Sequence, residues 1–210
     1  MKTIIVYVIL AIFSHFSTKA QNRYETEMTK GFELWSAEQA GEAANRFERI
    51  ANAEKENWLP YYYASQVKIV QSFPMTDVAR KEQLLDDAQK LLNRSKEVGG
   101  EEVELMVLQA MLHTARLTVN PSIYGMKLSP VINGIYKEAL SKAPENPRVK
   151  LSKAEWDMGS ANFFGQDPRD FCPDLQASLD LFSKENHSKL TAPAWGEDRA
   201  KMLIAEQCIK

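Results

Sequence analysis

Apolar residues recur along this chain at three- and four-residue steps, the spacing of one face of an α-helix. Ala40, Ala43, Phe47 and Ile50 form one such stripe. Leu84, Leu85, Ala88, Leu91 and Leu92 form another, between about Asp77 and Val98, and Gly99-Gly100 ends it. From Val103 to Leu117 the apolar residues lie nearly all round, which predicts a helix buried between neighbours. No segment alternates apolar and polar positions over the length of a strand. No Asn-Gly or Asp-Gly turn joins two apolar runs. The pattern predicts an all-α protein.

Breaks in the stripes divide the helices into pairs. The first pair takes about Arg23 to Trp35, then a helix that Ser36 caps, with Gln39 completing a capping box. The second opens at Trp58-Leu59-Pro60 and is interrupted at Ser72-Phe73-Pro74. The third begins at the acids Glu101 and Glu102, placed where the helix dipole favours negative charge. An irregular insertion is expected over 118–129, with Ser129-Pro130 restarting a helix. The fourth pair starts at Asn146-Pro147, and a second insertion covers 163–173. A polar linker from Lys184 to Ala192 precedes a last helix, about Ala194 to Ile209.

The first hairpin carries Gly31 at a helix contact and Ala43, Phe47 and Ile50 behind it, and Ala139 to Pro147 reads as one unit running into the next. In these features the chain resembles the tetratricopeptide repeat family, whose units are helical hairpins of about 34 residues. It also resembles exported helical-repeat proteins of the Bacteroidetes. The resemblance implies a right-handed stack of about four antiparallel hairpins, an α-solenoid, over residues 21–210. The helix near the C-terminus would cap the stack with its polar outer face, because one hairpin cannot bury its own stripe. The long second hairpin and the two insertions depart from the family pattern.

The first twenty residues stand apart from this periodicity. Lys2 is followed by ten unbroken apolar residues, Ile4 to Phe13, and then by Thr18-Lys19-Ala20. Ten residues rise about 15 Å as a helix, roughly half the hydrocarbon thickness of a bilayer. The segment therefore reads as a secretory signal peptide, cleaved near Ala20/Gln21, and places the mature chain in the periplasm or outside the cell. Its removal takes away Lys2 and Lys19 and no acid, leaving 24 basic and 28 acidic residues. That mild balance gives no reason to expect nucleic acid as a partner. No later segment is apolar enough to predict a transmembrane span.

Export changes the meaning of the two cysteines, Cys172 and Cys208. An oxidising compartment favours their pairing over two buried thiols. If the helix after Cys172 folds back against the terminal helix, the two come level. A bridge there would close a loop worth roughly 3–4 kcal/mol by chain entropy.

Candidate chemistry is sparse. Lys68, Gln109, His113 and Arg116 could line the concave groove that the first helices of such repeats form; a hydrogen-bonded core histidine is the plainer reading of His113. Trp58, Tyr61, Tyr62 and Tyr63 serve either the core or a groove. Asp167, Asp170 and Asp174 lack the alternating pattern of a calcium loop and read as solvated loop acids with local caps. There is no Gly-x-Ser-x-Gly, His-Glu-x-x-His, phosphate loop or Cys-x-x-Cys. The expectation is a non-catalytic scaffold without a cofactor, offering its concave surface to a protein or peptide. The alternative is a small-molecule carrier or enzyme, with its site under the 118–129 and 163–173 insertions.

Overall fold

The computed structural model describes residues 21–186, 188 and 190–208. The expected signal peptide, residues 1–20, and the last residues of the expected terminal helix lie outside them. Every regular element among the described residues is helical. Residues 21–36 form α1. Then follow α2 (Ala40–Ala53), α3 (Trp58–Ser72), α4 (Val78–Glu97), α5 (Glu102–Leu117), α6 (Pro121–Lys142) and α7 (Pro147–Phe163). A 3₁₀ turn (Pro168–Phe171) leads into α8 (Cys172–Phe182), and α9 (Glu197–Leu203) ends in a π-helical turn (Ile204–Cys208). Successive helices pair as α1/α2, α3/α4, α5/α6 and α7/α8, four stacked hairpins closed by α9.

Side-chain caps fix four of the helix starts. Asn57 Oδ1 accepts from Leu59 N, Asp77 Oδ1 from Arg80 N, and Asn120 Oδ1 from Ile123 N. Asn146 Oδ1 accepts from both Arg148 N and Val149 N. Each satisfies donors that the first helical turn leaves without an internal partner. The first boundary differs from the capping box expected there. Ser36 is the last residue of α1, and Gln39 precedes α2 without a side-chain cap.

The 118–129 stretch is also not an irregular insertion. Asn120 caps a helix with Pro121 in its first turn, and that helix runs through Gly125 and Pro130 to Lys142. Pro130 supplies no N–H to the Met126 carbonyl four residues back, yet the helix continues, because Leu128, Ile132, Tyr136 and Ala139 are buried along one side. Of the expected 163–173 insertion, Phe163 ends α7, and the 3₁₀ turn and α8 take up residues from Pro168 onward.

The core runs through the hairpins as the stripes require. Phe32, Phe47 and Tyr63 meet with centroids 4.7–5.6 Å apart. A Cβ at Gly31 would stand 2.6 Å from the Phe47 ring, so glycine permits this contact between α1 and α2. Fully buried Met28, Phe47, Leu85, Leu108 and Ile132 each contribute about 1.5–3 kcal/mol by leaving water. At the C-terminal end Cys172 and Cys208 are joined, with Cα atoms 5.9 Å apart. This bridge ties the start of α8 to the turn after α9.

Candidate functional site

The segment between α8 and α9 decides which surfaces remain open. It leaves α8 at Phe182 and crosses the face built by the odd-numbered helices. Glu185 is gripped by Arg148 of α7, with Nη1 and Nη2 donating at 2.7 and 2.8 Å. Leu190 O accepts from Tyr24 of α1, and Ala192 O accepts from Tyr63 of α3. Ala194 N donates to the Tyr63 hydroxyl, and Trp195 Nε1 donates to the Tyr62 hydroxyl at 2.7 Å. Trp195 also packs against the core groups that contain Val107 and Met111 of α5. The described residues of the polar linker therefore form a strap over the face built by α1, α3, α5 and α7, the inner face of the stack.

Beneath it lies a buried charge network. The Glu104 carboxylate accepts from Arg148 Nε at 2.9 Å, from Asn146 Nδ2 at 2.7 Å and from the Tyr62 hydroxyl at 3.2 Å. The side chains of Glu104 and Arg148 are 1% and 5% exposed. Charges this deep persist only when paired and hydrogen-bonded, and both conditions are met here.

The expected groove residues point elsewhere. On α5, Gln109, His113 and Arg116 lie on the side opposite Glu104 and Met111, toward α4. Gln109 exchanges hydrogen bonds with Gln89 at 2.9 Å, and His113 Nε2 stands 3.1 Å from Gln109 Nε2. Arg116 reaches Glu82 at 3.1 Å and Asp86 at 2.7 Å, and the Tyr124 hydroxyl donates to Glu82 at 3.0 Å. Burial, reinforced by the Arg116 charge, holds the His113 imidazole below its usual pKa and so neutral. Lys68 is paired with Glu48 of α2 at 2.9 Å. Three of the four residues thus form one α4–α5 cluster, and Lys68 is separate. Tyr62 and Tyr63 are fully buried, where their hydroxyls hold the strap. Asp167 receives Arg169 in a two-pronged pair and caps the 3₁₀ turn.

What is uncovered lies at one end of the stack, where the odd helices finish and the even helices begin. Among the described residues nine large apolar side chains are exposed, and seven of them belong to the helix ends and connections there: Val70, Phe73, Val78, Ile123, Met126, Phe163 and Phe164. Among the described residues the opposite end has none, since Val131 sits midway along α6 and Met202 lies on α9. The most exposed of them, Met126, Phe163 and Phe164, lie near the start of α6 and at the end of α7. Trp156 Nε1 donates to Asn133 Oδ1 at 2.8 Å, which fixes the antiparallel register of the two helices. Two turns on along each helix, the same flanks carry Phe163 and Met126, so these residues come level with one another. Phe163 is 71% exposed and Met126 is 94% exposed, so neither is covered by the described residues. Phe164 stacks edge-on to Phe163 with centroids 5.1 Å apart. Gly125 and Gly159 open onto space where a Cβ would meet no atom within 4 Å.

Two concavities lie at the other end. One, of about 640 Å³, lies over Ala53 to Trp58, and one of about 360 Å³ lies between Tyr24, Glu54, Asn57 and the strap. The apolar end is an open face rather than a pocket. The sequence offered a signal for it, since Ile123, Met126 and Pro130 share the side of α6 that faces away from its buried stripe. Reading 118–129 as irregular hid that regularity.

No family model matches the chain, and no curated protein matches it. Among solved structures it is similar to the HusA haemophore from Porphyromonas gingivalis, with 26% sequence identity and a TM-score of 0.74. The match covers 89% of this chain and 94% of that one. This likeness supports the all-α, solenoid-like architecture; a tetratricopeptide assignment has no matching family model behind it. It overturns the expectation of a protein- or peptide-binding scaffold, since the neighbour is a haemophore, a carrier of a small molecule. The physical reason is visible in the strap, which covers the face a scaffold would offer. The neighbour and the disulfide together fit an extracytoplasmic protein, and no helix among the described residues is long and apolar enough to cross a membrane.

Proposed function

We propose that this protein is an exported carrier of a flat, largely apolar small molecule of the iron tetrapyrrole class. The cargo would be held at the open end between α6 and α7. The observation that carries this reading is the uncovered pair of flanks, Met126 on one and Phe163 with Phe164 on the other, in a chain that resembles a haemophore. A tetrapyrrole ring presents two broad apolar faces, and exposed aromatic rings supply contact area of that kind. Bare backbone at Gly125 and Gly159 lets a plane approach the helices closely. Exposed Lys127, beside Met126, offers a cation to the carboxylates at the rim of such a ring. The chain does no chemistry on the cargo in this reading. It removes an apolar plane from water and releases it again.

Titration with haemin, followed by the Soret band, tests the proposal. The mature protein is expected to show saturable binding. The double variant Phe163→Ser/Phe164→Ser should bind about tenfold or more weakly, the loss of one or two kcal/mol of apolar contact. Absence of saturable binding by the parent protein, or equal binding by the variant, overturns it.

A further inference from the structure

We propose that Gln21 is a site of covalent modification, closing on itself after export so that the mature chain begins with a pyroglutamyl ring. This rests on the export part of the reading above, with cleavage after Ala20, and is independent of the cargo. Cleavage there gives Gln21 a free α-amine in the same residue as its side-chain carboxamide. The amine nitrogen attacks the side-chain Cδ and a lactam ring forms. The bond from Cδ to the amide nitrogen breaks, and ammonia leaves. The chain supplies both reacting groups, nothing is oxidised or reduced, and no co-reactant is needed.

The setting of Gln21 favours the ring. The residue is exposed in the first turn of α1, and its Nε2 donates to Glu25 at 2.8 Å, a surface bond whose loss costs little. A free amine there would place a full positive charge at the positive end of the helix dipole, close to Arg23. The lactam removes that charge and keeps one N–H donor. What the ring protects lies three residues on. Tyr24 is buried, and its hydroxyl donates to Leu190 O of the strap. Gln21, Tyr24, Asn57 and Leu190 border the same concavity of about 360 Å³. Chain ends are where proteolysis concentrates, and trimming through Asn22 and Arg23 would reach this fastening of the strap. An aminopeptidase needs a free α-amine, which the ring no longer offers.

The test reads the amino terminus of the full chain after export under its own leader. Intact mass should equal residues 21–210, oxidised at Cys172 and Cys208, less one ammonia. Stepwise N-terminal sequencing should be blocked until a pyroglutamyl peptidase removes the first residue, and should then read Asn22, Arg23 and Tyr24. Gln21→Asn, whose side chain is a methylene too short to close the ring, should be cleaved at the same place and sequence directly. An aminopeptidase should shorten this variant through Tyr24 and leave the parent at full length. Equal resistance of the two overturns the protective role. A parent that begins at Gln21 with its amide and amine intact overturns the ring and leaves the export and carrier readings standing. A parent that begins at another residue overturns the cleavage position and the ring together, while the haemin titration still reads the cargo by itself.

Discussion

The inner face of the stack and its open end are both rich in aromatic side chains, but only one of them is finished. On the inner face every aromatic group has a task inside the chain. Tyr24, Tyr62 and Tyr63 use their rings in the core and their hydroxyls to hold the strap, and Trp195 closes the arrangement from the other side. At the open end Phe163 and Phe164 touch each other and otherwise face water, as does Met126. Apolar surface of that size left together marks a place where something else binds, whereas single exposed apolar residues need no explanation. Stability resides in the covered face and recognition in the uncovered one. Substitutions in the two regions should therefore separate cleanly.

The largest effect is expected at the centre of the covered face. Arg148→Ala leaves the Glu104 carboxylate 1% exposed without its main cation and removes the two hydrogen bonds from Arg148 to Glu185. Stranding a buried charge costs about 3–5 kcal/mol, to be read from urea unfolding followed by circular dichroism. The double variant Glu104→Leu/Arg148→Met removes both charges and should recover most of that loss. If Arg148→Ala unfolds like the parent, the strap is not anchored by this network, and the contrast between the faces weakens.

Next in size is the bridge that holds the C-terminal end. Cys172→Ser/Cys208→Ser removes a cross-link between residues 36 apart, which chain entropy values at about 3–4 kcal/mol. Unfolding of the parent with and without a reductant should show the same difference. A variant as stable as the parent would mean that α9 is held by its other contacts, such as Arg199 on Glu155 at 2.7 Å.

The hairpins were legible because each stripe repeats at the helical step and Asn or Asp stands at several of the starts. Asn57, Asp77 and Asn146 all mark helix entries in the structure. The strap was not legible. Its composition from Lys184 to Ala192 is that of any linker, and what binds it are hydroxyls of tyrosines that core packing explains equally well. Long-range pairs such as Tyr24 with Leu190 leave no periodic trace in a sequence. The open end was misread for a different reason. Gly125 and Pro130 are helix breakers by propensity, but Leu128, Ile132, Tyr136 and Ala139 bury enough surface to carry the helix through them. Gln109, His113 and Arg116 did prove to be neighbours, since helical spacing brings them together, but spacing alone could not tell the inner side of α5 from the α4 side.

The smallest expected change in stability is also the sharpest test of the contrast. Phe163→Ser/Phe164→Ser replaces two side chains that are 71% and 73% exposed. An aromatic side chain in a core costs about 3–5 kcal/mol to truncate, because its neighbours lose contacts and a cavity remains. Here the rings have few neighbours to lose and no cavity can form. The unfolding free energy should stay within about 0.5 kcal/mol of the parent, the range of ordinary surface substitutions. Polar replacements should also make the protein less prone to self-association, which sedimentation can read in the same samples. A loss beyond about 2 kcal/mol would mean that these rings close the end of the core. The open end would then be a second covered face, and its claim to a cargo would fall with it.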